Sequence, residues 1–87
     1  MIFSYLKSNI MEIKKFIENF IDQFDDLELA DVTPETVIRD LDEWSSMTGL
    51  SLLNMSEHAY GVKLTFDELK HAITVQDLFE TIVKKQR

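Results

Sequence analysis

Leu41-Asp42-Glu43-Trp44-Ser45-Ser46-Met47-Thr48-Gly49-Leu50 is the stretch on which the fold turns. Carboxylates open it, two adjacent serines sit at its middle, and an apolar run follows. Serine is favoured where a helix begins, because its oxygen accepts a backbone N–H that has no partner inside the helix. Either Ser45 or Ser46 supplies that cap. Met47, Leu50, Leu52, Leu53, Met55 and Tyr60 then predict a helix over residues 46–60. Gly61 stands just past its end, the usual place for a left-handed stop. A serine hydroxyl at such a start faces free N–H groups and the positive end of the helix dipole, which suits a phosphate ester.

On the N-terminal side, Asp25 to Glu43 reads as a long connection rich in Asp and Glu, with Arg39 its lone cation. Connections of this length in small domains are uncommon and often functional. Leu27, Leu29, Val32, Val37, Ile38 and Leu41 are spaced to pin it against a core, and Thr33-Pro34-Glu35 suggests one helical turn. Before it, Ile10, Ile13, Phe16, Ile17, Phe20, Ile21 and Phe24 recur at steps of three and four. They predict an amphipathic helix over residues 10–24, capped by Asn9 with Glu12 completing a capping box. Residues 1–8 read as a frayed extension, and residues 9–87 as a single domain.

On the C-terminal side, Val62-Lys63-Leu64 is a short extended link. Thr65-Phe66-Asp67-Glu68 is a capping box that opens a short helix to about His71. Thr74-Val75-Gln76-Asp77 opens a last helix, with Val75, Leu78, Phe79, Ile82 and Val83 on one face and Lys84 and Lys85 at its negative end. The fold class expected is all-α: a small four-helix bundle of three main helices and one short one, with a long loop between the first two.

The composition narrows function. The chain has 87 residues, 45% of them apolar, enough for one thin core. Its net charge of −7 excludes a nucleic-acid binder that depends on a basic face, and suits docking on basic partners. There is no cysteine, so thiol chemistry would need an imported thiol. Met1-Ile2-Phe3-Ser4-Tyr5-Leu6 is too short for a signal core or a membrane span, so the expectation is a cytoplasmic chain with no membrane partner.

No catalytic or metal-ligating set emerges. His58 and His71 lack ligand spacing, and the pattern of a nucleophile elbow is absent. Paired carboxylates abound in the loop, but nothing there signals the burial needed for general acid work.

The segment from Leu41 to Asp77 resembles the acyl carrier proteins. That family keeps a modified serine in an Asp-Ser-Leu motif at the start of its second helix, often with Trp two residues before. Here Trp44 stands two before Ser46, and Tyr60-Gly61 closes the helix at the family's spacing. Asp67-Glu68 matches the short acidic helix and Thr74-Val75-Gln76-Asp77 the start of the last, with no gap from Ser46 to Asp77. The resemblance implies a bundle of acyl-carrier type and a non-catalytic carrier. Ser46, rather than Ser45, would bear a covalent 4′-phosphopantetheine placed by a phosphopantetheinyl transferase. The arm's thiol would hold an acyl or aminoacyl group as a thioester. Partners would be acyl-activating, acyltransferase or synthase enzymes with basic docking surfaces, meeting a monomer. Asp42, Glu43, Trp44, Met47 and Glu57 are the partner-facing candidates. Met47, Leu50, Leu53 and Leu78 are candidates to line an acyl shelter, or plain core.

Three departures matter. Ser45 replaces the Asp before the modified serine, and Asp42 or Glu43 is the candidate substitute carboxylate. Met47 replaces the Leu, keeping an apolar anchor. The second helix keeps only Glu57 of an acidic row, which points to a dedicated carrier for a specialised pathway rather than general fatty-acid synthesis, with lipid and fatty-acid biosynthesis the wider setting the resemblance implies. The competing reading is a carrier-like interaction module that is never modified; a third is a small serine esterase.

Overall fold

The structure, a computed structural model, describes the backbone of residues 2–86 and the side chains of residues 12–86. Among the described residues there are four α-helices and no named strand: α1 (Ile2–Ile21), α2 (Ser46–Tyr60), α3 (Phe66–His71) and α4 (Val75–Gln86). The predicted four-helix arrangement of three main helices and one short one is present. The first helix differs from expectation, starting at Ile2 rather than residue 10 and ending at Ile21 rather than 24. Asn9 therefore lies inside a helix and is not its cap. The chain leaves α1 through tightened turns, Gln23 N–H donating to Phe20 O (3.1 Å) and Phe24 N–H to Ile21 O (3.0 Å). Phe24 is buried all the same, so its place in the apolar pattern reports burial rather than helix.

α1 packs on α4 and α2, and α2 packs on α3 and α4. Phe16 is the hub, fully buried, its ring 5.4 Å from Phe79 of α4, 5.8 Å from Tyr60 of α2 and 6.4 Å from Phe20. Such tilted pairs satisfy the ring quadrupoles and add to plain area burial. Leu52, Val75, Leu78 and Ile82 complete the centre. Tyr60 is packed against this core with its hydroxyl accepting from Asn19 (3.1 Å). Burial, partly countered by that hydrogen bond, raises its pKa.

The ends of α2, and the starts of α3 and α4, follow the sequence signals. Gly61 closes α2 at φ 66°, a left-handed conformation that a Cβ would disfavour. Just beyond it, the fully buried Ser56 hydroxyl donates to Val62 O (2.9 Å) while Val62 N–H returns to Ser56 O (3.2 Å). The link is thereby sewn to α2, and Val62 and Leu64 enter the core. Thr65 and Glu68 form the expected box on α3. Lys85 of α4 reaches across to Glu68 Oε1 (2.7 Å) and Lys63 O (2.9 Å). The Lys85 hydrogen bond, then the Thr65 N–H, hold the Glu68 carboxyl below its usual range. Asp77 accepts from Thr74 N–H (3.0 Å) and Ile73 N–H (3.1 Å), and these backbone donors, Thr74 first, lower its pKa too.

The long connection is packed, as its apolar spacing predicts. Val32 and Ile38 are buried, Leu27 and Leu41 rest on the core, Val37 is half-buried outside it, and Leu29 is 49% exposed. Thr33-Pro34-Glu35 makes a single turn rather than a helix, closed by Thr36 N–H to Thr33 O (3.1 Å). Two short 3-10 turns, Leu29–Asp31 and Ile38–Asp40, flank it. The second half is tied by backbone to the start of α4: Ile38 N–H to Ile73 O, Val75 N–H to Thr36 O and Gln76 N–H to Pro34 O, at 3.0, 3.0 and 2.9 Å.

Candidate functional site

The two serines take different jobs. Ser45 is the N-cap of α2, with extended backbone at φ −159° and ψ 171°. Its Oγ accepts Thr48 N–H (3.2 Å), and Ser45 N–H donates back to Thr48 Oγ1 (2.8 Å), a reciprocal box. Ser46 is the first helical residue, exposed, and its hydroxyl makes no hydrogen bond to another described residue. The N–H groups of Ser46 and Met47 belong to the first turn and so have no partner within the helix. One serine oxygen is committed to the fold; the next is free beside anion-favouring N–H groups.

The residues before the serines build the platform. Glu43 is anchored, its Oε1 accepting Asp25 N–H (2.8 Å) and its Oε2 accepting Asp26 N–H (3.0 Å). It fastens the exit of α1 to the entry of α2, and both of its oxygens already have a partner. Asp42 is exposed, as is Glu57 on the far part of α2. Trp44 is half-buried against the core rather than presented whole to solvent. A Cβ on Gly49 would lie 3.3 Å from Trp44 Cη2, 3.4 Å from Leu69 Cδ2 and 3.5 Å from Phe66 Cζ. Glycine at position 49 is thus the notch that lets the indole lie over α2.

Met47, Leu50, Leu53 and Leu78 differ widely in exposure. Met47 is 78% exposed and Leu50 52% exposed, Leu53 is half-buried against the core, and Leu78 is completely buried. Met47 and Leu50, three residues apart on α2 and so on one side of it, are both exposed, and Leu78 is core.

Three grooves border the start of α2. One is polar and lies along Gln23, Asp25, Glu43, Ser45, Met47, Thr48 and Ser51. A second is acidic, lined by Asp26, Asp31, Asp40, Asp42 and Glu43 with Leu27 and Leu41. The third lies on the Trp44 side, about 410 Å³, lined by Arg39, Trp44, Phe66, Asp67, Leu69 and Lys70. Arg39 Nη2 donates to Lys70 O (2.7 Å), tying the connection to α3. Sequence spacing does not reveal this third groove, because its walls come from a turn, a pre-helix residue and α3. The one available signal is Arg39 as the lone cation in an acidic stretch.

His58 and His71 are exposed, and His71 Nδ1 lies 2.8 Å from Asp67 O one turn back in its own helix. Among the described residues no cluster of His, Asp and Glu could hold a metal ion, and no helix is long and apolar enough to cross a membrane. No protein-family model, curated protein or solved structure matches the chain.

Proposed function

We propose that this chain is an acyl carrier protein of the phosphopantetheine-dependent kind, with Ser46 as the attachment point. The observation that carries the reading is the division of labour at the start of α2. Ser45 spends its oxygen on the cap while Ser46 presents an exposed, unshared hydroxyl next to unpaired N–H groups. A phosphodiester on that oxygen would be met by the open N–H groups of the first turn and the positive end of a 15-residue helix. When attached, the arm supplies the thiol that a chain without cysteine lacks.

The departures from the family pattern also have a physical reading. Ser45 supplies the helix cap that an Asp at its position would supply, so the fold at the serine survives the exchange. Of the two substitute carboxylates, Glu43 already accepts one N–H on each oxygen, from Asp25 and Asp26. Asp42 is exposed and is the better placed of the two. Negative charge is gathered in the groove of Asp26, Asp31, Asp40 and Asp42 rather than along α2. Partners with basic docking surfaces would therefore approach from the connection, with Met47 and Leu50 as the apolar contact beside the arm. That arrangement favours dedicated partners of a specialised pathway.

The alternative, an unmodified interaction module, draws on the same exposed Met47 and Leu50 and on the missing Asp. Intact mass separates the two. Co-expression with a broad-specificity phosphopantetheinyl transferase is expected to add one phosphopantetheine, lost in Ser46→Ala and retained in Ser45→Ala. No mass gain with any transferase refutes the carrier reading and leaves the module.

A further inference from the structure

Arg39 and Lys70 stand out in a chain with 16 acidic and nine basic residues. The ion pairs among the described residues are Lys15–Glu18 and Lys85–Glu68, so neither of these two cations is in one. Both line the groove on the Trp44 side. Arg39 is held at its rim by the bond from Nη2 to Lys70 O (2.7 Å), which leaves other guanidinium N–H donors uncommitted. The rest of the lining is Trp44, Phe66 and Leu69, with Asp67 the sole acid. About 410 Å³ is at the lower end of what small organic ligands occupy. A groove with apolar walls and two cations outside the ion pairs of the described residues, in a chain of net charge −7, fits a small anion with a hydrocarbon body.

Resting on the carrier reading, we propose that this groove receives the cargo, and that the cargo is a short acyl group bearing a free carboxylate. Its methylenes lie against Trp44, Phe66 and Leu69, and its carboxylate is held by Arg39 and Lys70. A neutral acyl group of equal length gains only the apolar contact. Asp67 opposes the anion and sets an upper limit on how tightly it is held.

Trp44 is the only tryptophan, so its fluorescence and its indole N–H resonance report on one wall of this groove. The whole chain would be loaded by a broad-specificity transferase with pantetheine carrying no acyl group, acetyl, butyryl or succinyl, with loading verified by mass. The succinyl form is expected to shift the Trp44 signals beyond the other three, all of which carry the same phosphodiester. Lys70→Gln leaves the Arg39 tether intact and is expected to lower the docked-to-free ratio roughly two- to fivefold, the strength of an exposed ion pair. Asp67→Asn is expected to raise it, and added salt to weaken it. Equal Trp44 signals for butyryl and succinyl, or a succinyl signal unmoved by Lys70→Gln, overturn the proposal while the carrier reading stands. Failure of every transferase to load the chain removes the carrier reading and this proposal with it.

Discussion

Replacing Ser45 and Ser46 one at a time by alanine should give opposite results in stability and in modification. Ser45→Ala removes the acceptor for Thr48 N–H and half of the reciprocal box. The Thr48 bond to Ser45 N–H survives, because it uses the Thr48 oxygen (2.8 Å). Loss of a serine cap costs about 0.5–2 kcal/mol, and with half of the box retained about 1 kcal/mol is expected. In a domain of this size that lowers Tm by about 4–8 °C. Ser46→Ala breaks no hydrogen bond to a described residue and exchanges serine for a better helix former, so it should stay within about 0.5 kcal/mol of the parent. Ser45→Asp should keep the cap and recover full stability, the dipole gain being offset by neighbouring Asp42 and Glu43. Thermal melts followed by circular dichroism at 222 nm measure all three, and intact mass after transferase treatment gives the second axis. Greater destabilisation by Ser46→Ala than by Ser45→Ala would refute the assignment of cap and free hydroxyl.

Three further outcomes test the surrounding scaffold. Glu43→Gln, which keeps the shape but loses the charge and one acceptor, should cost about 1 kcal/mol in a urea melt and speed amide exchange at Asp25 and Asp26; Asp42→Asn should be silent in stability. Gly49→Val fills the notch under Trp44, where even a Cβ meets the indole at 3.3 Å, and should destabilise by about 1–3 kcal/mol with a changed Trp44 emission. The depressed pKa values of Glu68 and Asp77 predict the acid limb. A carboxyl whose folded value lies below its unfolded one stabilises fully above the unfolded value, and that contribution disappears as the pH falls through the folded one. The share of stability held by these two carboxyls should therefore be flat above about pH 5 and be lost as the pH falls below about 4, and Glu68→Gln should flatten that loss; an unchanged acid limb would show the Lys85–Glu68 contact to be energetically silent.

Features set by local chemistry were legible in the sequence. α2 spans residues 46–60 as its serine and Gly61 signals predict, because cap and left-handed stop are decided within a few residues. The same holds for Thr65–Glu68 and Thr74–Asp77. The start of α1 differs from expectation although its signal is present: Phe3 and Leu6 continue the spacing of Ile10 and Ile13. Its end differs because Phe24 keeps the apolar rhythm through a turn. At the site, which serine caps was not decidable from composition, since both are equally good acceptors. The sorting of Met47 and Leu50 outward and Leu78 inward depends on which neighbours cover each face, and that is tertiary information. The groove of Arg39, Trp44 and Lys70 is invisible in one dimension for the same reason.

The connection between α1 and α2 has two halves with unlike tolerance for extra sequence. Glu28 to Asp31 are all exposed, and their turn closes on itself through the Glu28–Asp31 contacts. Residues grafted there, such as an epitope or a fluorophore tag, would hang in solvent. Pro34 to Ile38 lend carbonyls to the first amides of α4 and an amide to Ile73. A single added residue in that half would shift the register of this seam and leave Val75 and Gln76 without acceptors, so lineages diverging from this chain can lengthen it in the first half far more readily than in the second.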